Sequence, residues 1–248
     1  MTQSPPPPQV TQPRDGELAQ TTLHLAGHTV LLWHIQDLDA FLARLLAEHP
    51  IIPDDDIPYY AWIWPSALVL AESILRGPPL DGVRALELGC GTGLVGLCAA
   101  LHGAQVTLTD LQPGALTLAQ RNAAQAGVAG RVDARLLDWR NPDVAPVPLL
   151  LVSDVLYEAR FAQPLANAVA GLLAPGGQAL LADPERPHLH KFVDQARALG
   201  LDVLDGPVIP KDGASVHLYQ VQWRAHPSLA PPPWQAAPAP LGDGRAPR

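Results

Sequence analysis

The sequence is poor in lysine, cysteine and long apolar runs, and each shortage excludes a class of function. Only two of its 16 basic residues are lysines, no Lys/Arg cluster occurs, and 24 acidic residues leave a formal charge of −8. Such a chain repels a polyanion, so we expect no nucleic-acid partner. No run approaches the ~20 apolar residues that span a bilayer, which predicts no membrane partner. The two cysteines, Cys90 and Cys98, are too few for a structural zinc cluster.

The start of the chain and its composition are typical of a cytoplasmic globular protein. The first ten residues, MTQSPPPPQV, have neither the basic nor the apolar region of a secretory signal. A length of 248 residues with 48 % hydrophobic content suits one domain with a substantial core and some appendages. We therefore expect a cytoplasmic location.

The 28 prolines divide the chain, because many of them lie near its two ends. Residues 1–17 and 224–248 have no apolar periodicity and are predicted to be disordered, Pro-rich tails. Between them we predict an N-terminal layer over 18–78 and an α/β core over 79–223. The N-terminal layer is predicted to contain a hairpin over 21–35 that turns at Ala26-Gly27, and helices over 37–47 and 65–76.

The core alternates short apolar runs with helical patterns. Its predicted strands are 84–89, 105–110, 132–137, 149–156 and 178–182, and its predicted helices are 94–102, 114–126, 160–173 and 188–199. This alternation predicts a parallel sheet with helices on both faces. The last two apolar stretches, 201–209 and 215–223, are joined by the turn PKDG and should form an antiparallel hairpin at the sheet edge. The result is a Rossmann-like, seven-stranded α/β fold.

A glycine-rich loop, ELGCGTG at 87–93, follows the first core strand. Its glycines allow a sharp turn and the close approach of a ligand, and the next helix offers free N–H donors. Asp110 ends the following strand, where a carboxylate can bind both hydroxyls of a ribose. Two cofactors fit: GTGLVG at 91–96 matches the dinucleotide fingerprint, and ELGCGTG matches S-adenosylmethionine binders. The antiparallel ending of the chain favours the second.

Four of the thirteen Phe, Trp and Tyr residues lie close together: Tyr59, Tyr60, Trp62 and Trp64. They could anchor the N-terminal layer on the core, or form an aromatic wall over a cofactor and a substrate. Aromatic faces attract sulfonium and ammonium cations, so the two roles are compatible.

Polar residues follow two further strands. Asp154 and Tyr157 lie at the carboxyl end of a central strand, where open α/β sheets bind their ligands. Asp154 needs a partner if it is buried, and it could instead cap the following helix. Asp138 and Trp139 end the third core strand, in a position that suits contact with an adenine ring.

The segment DPERP, residues 183–187, closes the fifth core strand. Its two prolines predict a rigid loop at the active site. Asp183, Glu185 and His188 do not have the spacing of metal ligands, so we expect no metal site.

Taken in this order, ELGCGTG, LTD, DW and DVLY resemble a seven-β-strand class I methyltransferase. Together with DVLY, the segment YAWIWPSALVLAESIL resembles the lysine methyltransferase group that is marked by a (D/E)xx(Y/F) motif. ADPERP is similar to the DPGRP of the branch that methylates the electron transfer flavoprotein β subunit, a group that also includes proteins described as nicotinamide N-methylase-like. The resemblance covers about residues 55–190 and departs at Glu185, where that branch has glycine.

The resemblance implies S-adenosyl-L-methionine as the cofactor and a role for each matching residue. The residues it assigns to the cofactor are Trp64, Glu87, Gly89, Gly91, Gly93, Asp110, Asp138, Trp139 and Ser153. The catalytic residues it implies are Asp154 and Tyr157, which would receive the substrate amine. The remaining residues of the implied substrate pocket are Tyr59, Tyr60, Trp62, Asp183 and Arg186.

The implied activity is methylation of a lysine side chain in a protein partner. Two alternatives stay open on the sequence: an N-methyltransferase for a small amine or a pyridine such as nicotinamide, and a non-catalytic module that only binds S-adenosylmethionine. The intact ELGCGTG and DVLY motifs favour catalysis.

Overall fold

The computed structural model describes residues 12–49, 51–228 and 230–235. Most of the two predicted tails, residues 1–11 and 236–248, therefore lies outside the described residues. Across the described part of the chain, no helix is long and apolar enough to cross a membrane.

The described ranges contain nine strands and six α-helices. The strands are β1 (Leu18–Leu25), β2 (His28–Ile35), β3 (Arg84–Leu88), β4 (Gln105–Asp110), β5 (Val132–Leu136), β6 (Val147–Ser153), β7 (Leu173–Asp183), β8 (Leu201–Lys211) and β9 (Ala214–Trp223). The helices are α1 (Leu38–Glu48), α2 (Pro65–Arg76), α3 (Leu94–Leu101), α4 (Pro113–Gln125), α5 (Ala162–Leu172) and α6 (Leu189–Ala198).

The strand order confirms the predicted α/β fold. Seven strands form one sheet in the order β5-β4-β3-β6-β7-β9-β8. The first five pair in parallel, and β9 lies antiparallel between β7 and β8. Strands β1 and β2 form a separate antiparallel hairpin, as predicted for the N-terminal layer.

Strand β6 shows how the sequence produces a core on both faces of the sheet. Leu149 and Leu151 pack with residues of α2, α3 and α4, whereas Leu150 and Val152 pack with residues of α5 and α6. Successive side chains of a strand point to opposite faces. A run of four apolar residues is therefore buried completely only between two helical layers.

The buried side chain of Asn122 on α4 joins the N-terminal hairpin to the core. Its amide group accepts a hydrogen bond from the Trp33 backbone N–H at 2.7 Å and donates one to the Trp33 carbonyl at 3.0 Å. The same amide nitrogen donates to the carbonyl of Thr92, in the glycine-rich loop, at 2.9 Å. One side chain thus satisfies backbone groups of two segments that are distant in sequence.

The structure differs from the predicted tails where they meet the folded domain. Glu17 forms an ion pair with Arg44 of α1. Pro233 packs closely against Gly77, the residue that follows α2. A Cβ added at Gly77 would lie 2.6 Å from the Cβ of Pro233. Trp234 packs against the core cluster that includes α2. A Pro-rich composition suggests disorder, but a single tryptophan buries enough apolar surface to order a short segment.

Replacing Asn122 with alanine should lower the free energy of unfolding by about 2–3 kcal/mol, because three hydrogen bonds to backbone groups are lost at a buried position. Chemical denaturation measures this change. Asn167→Ala, at an exposed position of α5, is the control and should stay within about 0.5 kcal/mol of the unsubstituted protein. Equal effects of the two substitutions would contradict the role given to Asn122.

Candidate functional site

A cavity of about 580 Å³ opens at the carboxyl ends of β3, β4 and β6. This is the edge at which parallel sheets bind their ligands. Of the residues assigned to the cofactor, those that line the cavity are Trp64, Gly89, Gly91, Asp110, Trp139 and Ser153. Of the residues assigned to catalysis and the substrate, those that line it are Tyr59, Tyr60, Asp154, Tyr157 and Arg186. The remaining five, which do not line it, are Trp62, Glu87, Gly93, Asp138 and Asp183.

The glycine-rich loop presents bare backbone to the cavity. Gly91 has a φ of +52°, and a Cβ there would lie 3.0 Å from the Tyr60 carbonyl oxygen. A residue other than glycine would be strained at this position and would also crowd Tyr60. The Gly91 N–H donates to Oδ2 of Asp110 at 3.1 Å.

Backbone N–H groups orient the side chain of Asp110. Besides Gly91, the N–H of Gln112 donates to its Oδ1 at 3.0 Å. Burial raises the pKa of Asp110, and the backbone hydrogen bonds oppose that rise. The carboxyl group therefore lines the cavity in a fixed orientation, with acceptor capacity left for a ligand.

Glu87 lies beneath the loop rather than in the cavity wall. Its side chain accepts a hydrogen bond from the Gly96 N–H at 2.9 Å, in the first turn of α3. Burial raises the pKa of Glu87 from 4.5 to about 8, and the nearby charge of Asp110 acts in the same direction. Glu87 thus connects β3 to α3 and supports the loop from below.

Asp154 lies at the other end of the cavity and is almost completely enclosed, with 4 % of its side chain exposed. It adopts a φ of +57°, which is uncommon for a residue other than glycine. Its Oδ2 accepts the N–H of Ser66, at the start of α2, at 3.2 Å. Its Oδ1 accepts from Nη2 of Arg186 at 2.5 Å. The carboxylate thus interacts with the N-terminus of α2, a helix that precedes it in sequence, and not with the helix that follows.

A continuous series of aromatic rings connects the two ends of the cavity. Adjacent rings have centroids 5.0 to 6.3 Å apart. In order, the rings are those of Trp64, Tyr59, Tyr157, Phe161 and Trp139. Such a wall is apolar but polarisable, so it favours flat rings and desolvated cations over water.

The five predicted residues outside the cavity wall have structural contacts instead. Gly93 has a φ of +81° immediately before α3. Trp62 packs edge-on against His34 at 6.1 Å, which favours the anchoring role for this aromatic ring. Asp138 faces Arg140, with Oδ1 accepting from its Nε at 2.8 Å.

Asp183 is also outside the cavity wall, buried at the end of β7. Its Oδ1 accepts the Arg186 N–H at 2.7 Å, and its Oδ2 has no hydrogen-bond partner in the described part of the chain. Burial raises the pKa of Asp183 to about 6. In the described ranges, no three His, Cys, Asp or Glu side chains are grouped so as to hold a metal ion.

A group of charged residues at the rim of the cavity is not indicated by any of the sequence motifs. The carboxylate of Asp55 accepts from Arg140 at 2.9 Å and from Arg160 at 2.8 Å. The Gln112 amide donates to the carbonyls of Asp55 and Ile57, both at 3.0 Å. These contacts join loops separated by 55 to 105 residues, so no short motif indicates them.

Comparison with known proteins places the chain among methyltransferases. A family model described as lysine methyltransferase matches residues 59–196. A protein N-lysine methyltransferase, METTL21A of Xenopus tropicalis, is 30 % identical over 175 residues, covering 68 % of this chain and 80 % of that protein. METTL21A of Danio rerio is 39 % identical over 123 residues, covering 45 % of this chain and 56 % of that protein. The chain spans about half the length of several curated relatives that it matches.

Solved structures agree on the fold. The magnesium protoporphyrin IX methyltransferase of Synechocystis, solved with bound S-adenosylmethionine, superposes with a TM-score of 0.54 at 13 % identity. The alignment covers 75 % of this chain and 97 % of that one. At this identity the likeness concerns the architecture alone.

The environment of Glu87 leads to a prediction on pH. Between pH 4.5 and about 8 the folded protein retains a proton that the unfolded chain has released. Stability should therefore fall as the pH rises through this window, by up to ~1.4 kcal/mol per pH unit. The raised pKa of Asp183 also makes the stability fall with rising pH, up to about pH 6. Glu87→Gln, which cannot titrate, should show a shallower fall above pH 6 in thermal unfolding of the ligand-free protein.

The matched control is Glu72→Gln, at a partly exposed position of α2 where the side chain pairs with Arg76. We expect it to retain the pH dependence of the unsubstituted protein. If Glu87→Gln and Glu72→Gln gave the same slope, the buried carboxyl group would not be the source of the effect.

Proposed function

The chain belongs to the lysine methyltransferase family, and on that premise we propose that it methylates a lysine side chain of a protein partner. The main support is the cavity itself, which joins the glycine-rich loop and Asp110 to Asp154 and Tyr157. A module that only binds the cofactor would need the glycine-rich loop and Asp110 but would have no need of Asp154 and Tyr157. The names of the relatives, which are protein-lysine methyltransferases, support a protein as the substrate.

The residues at one end of the cavity fit S-adenosyl-L-methionine, the cofactor of this family. When bound, this cofactor supplies a methyl group carried on a sulfonium. Gly89 and Gly91 line this end with backbone alone, and a Cβ at either position would lie 3.0 Å from a neighbouring protein atom. We assign the ribose to Asp110, the adenine to the side of Trp139, and the remaining contacts to Trp64 and Ser153.

Three residues of the predicted cofactor set act indirectly in this proposal. Glu87 and Gly93 support the glycine-rich loop and the start of α3. Asp138 orients Arg140, which lines the cavity and pairs with Asp55 at the rim. The adenine end of the cavity is thus bordered by charged side chains that are paired with one another.

The other end of the cavity suits an amine. A lysine side chain is protonated at neutral pH, with an ordinary pKa near ~10.4, and must lose a proton before its nitrogen can attack. The rings of Tyr59 and Tyr157 give this end an aromatic wall, and Asp154 orients the amine. Burial, together with the charge of Glu158, raises the pKa of Tyr157 to about 12, so its hydroxyl keeps its proton at neutral pH.

Within the family, we propose the branch marked by DPGRP. Glu185 replaces the glycine of that motif and has a φ of +58°, the left-handed conformation that glycine adopts without strain. This backbone geometry supports the resemblance, although the side chain differs. Glu185 also pairs with His217 at 2.8 Å, so it changes the charge beside the substrate end.

We also propose a cytoplasmic location. Both cysteines are free and buried in the described structure, which suits a reducing compartment. The formal charge of −8 supports the expectation of no nucleic-acid partner.

Asp110→Asn should weaken the binding of S-adenosylhomocysteine by about 10- to 100-fold, because a charged acceptor is lost from the ribose site. Isothermal titration calorimetry measures the affinity directly. Asp133→Asn, on the neighbouring strand and exposed, is the control and should bind normally. Unchanged binding by Asp110→Asn would remove the ribose role from that residue.

Asp154→Asn should lower methyl transfer at least about 100-fold and change the affinity for S-adenosylhomocysteine by less than about threefold, because Asp154 acts on the amine. The assay follows tritium from S-adenosylmethionine into a host-cell lysate, separated into acid-precipitable and small-molecule fractions. Asp194→Asn, at an exposed position of α6, is the control.

Label in a discrete protein band that is absent with Asp154→Asn would support protein methylation. Label only in the small-molecule fraction would indicate a free amine or pyridine as the substrate. Loss of S-adenosylhomocysteine binding by Asp154→Asn would place Asp154 at the cofactor end instead.

A further inference from the structure

The substrate end of the cavity already contains a cation, the guanidinium of Arg186. Its Nη2 donates to Oδ1 of Asp154 at 2.5 Å, and its Nη1 donates to the Asp154 carbonyl at 3.2 Å. The backbone N–H of Arg186 donates to Asp183, which holds the loop in place. Its side chain is only 20 % exposed, so the ion pair lies mostly out of water. Removing water strengthens the effect of each charge on its neighbours.

Asp154 has no uncompensated charge to offer to a second cation. One of its oxygens binds Arg186, and the other accepts the Ser66 N–H at the positive end of α2. An ammonium group arriving beside Asp154 would meet a carboxylate that is already paired. It would also lie close to a fixed guanidinium of the same sign.

Arg186 is directed toward the substrate and not only toward its partner. It lines the cavity together with Asp154 and Tyr157, and its guanidinium carbon lies 5.9 Å from the centroid of the Tyr157 ring. Any amine that reaches Asp154 and Tyr157 therefore comes close to a positive charge. A nearby positive charge disfavours the protonated form of an amine.

We propose that Arg186 is a specificity-determining residue that makes the substrate end of the cavity accept the amine in its unprotonated form. This rests on the proposed function. The ammonium releases its proton to water as it enters, and the nitrogen lone pair is then free to bond to the methyl carbon. The bond between that carbon and sulfur breaks, and its electron pair stays on sulfur. In this scheme Asp154 holds the Arg186 guanidinium in place and orients the amine, and it does not accept the proton.

The other titratable groups near Arg186 belong to β7, to the loop that follows it and to β9. Asp183 lies at the end of β7 but does not line the cavity. Glu185 precedes Arg186 and is paired with His217 of β9. Tyr219, also on β9, stacks on His217.

Two further groups come from the segment after β6. They are Tyr157, a neutral phenol at neutral pH, and Glu158, which pairs with Arg160 at 2.8 Å. Of the charged groups at this end of the cavity, Arg186 is the cation that lines it. Removing its charge therefore leaves Asp154 without its cationic partner, and the bound amine would retain its proton more strongly.

The test compares Arg186→Gln with Arg186→Lys and the unsubstituted enzyme. The acceptor is the acid-precipitable lysate protein that the unsubstituted enzyme labels, at concentrations raised until the rate no longer increases. The maximal rate is measured from pH 6.5 to 10. We expect the rising limb of the Arg186→Gln profile to move up by at least one pH unit, with about a tenfold loss at pH 7 and recovery to within threefold at pH 10. Arg186→Lys keeps the charge and should keep the original profile.

A binding measurement provides a readout that does not depend on turnover. n-Butylammonium stands in for the lysine side chain and n-butanol for its uncharged form, each titrated at pH 7 into protein saturated with S-adenosylhomocysteine. Arg186→Gln should bind n-butylammonium several-fold more tightly than the unsubstituted protein does. Its affinity for n-butanol should be unchanged, and normal binding of S-adenosylhomocysteine shows that the variant is folded.

Two results would overturn the inference. A uniform loss of rate at every pH, with an unmoved rising limb, would mean that Arg186 only supports the structure. Weaker binding of n-butylammonium by Arg186→Gln would mean that Arg186 does not oppose the ammonium. Failure of the unsubstituted enzyme to label any protein would instead count against the proposed function, so the two ideas fail in different ways.

Discussion

One buried carboxylate, that of Asp154, holds together the three segments that form the substrate end of the cavity. Asp154 directly follows β6, accepts a hydrogen bond from Ser66 in the first turn of α2, and binds Arg186 from the loop after β7. The side chain of Asp154 is only 4 % exposed, and a carboxylate so deeply buried is stable only with such partners. The position of each of the three segments therefore depends on the other two. The same contact places Trp64, immediately before α2, at the wall of the cavity.

The two ends of the cavity treat their carboxyl groups differently. At the glycine-rich loop, Glu87 and Asp110 are held by backbone N–H groups, and burial raises the pKa of both. At the far end, Asp154 is held by a guanidinium and a helix terminus. The first arrangement leaves acceptor capacity for the hydroxyl and amino groups of a cofactor. In the second arrangement the negative charge of Asp154 is already balanced by its partners. Such a site suits an amine, which reacts only after it has lost its proton.

Several features of the fold could be predicted from local patterns. The run LLLV in β6 is apolar at every position, which indicates a strand buried on both faces, and the turn PKDG between two apolar stretches indicates the closing hairpin. The site residues that could be predicted lie at the ends of such strands, because the carboxyl ends of parallel strands meet at one edge. Asp55, Arg140 and Arg160 could not be found in this way, since their pairing depends on how three loops meet.

The sequence by itself determined the succession of strands and helices along the chain and the position of the glycine-rich loop. It also determined the set of acidic and aromatic residues from which the site is built. These follow from the periodicity of apolar residues and from the conformations that glycine and proline allow. Only the tertiary structure decided which side chains face the cavity and which charges are paired. Trp62 and Trp64 are two residues apart, yet one packs on the hairpin and the other lines the cavity. Partners such as Asp154 and Arg186 are 32 residues apart, and only folding brings such residues together.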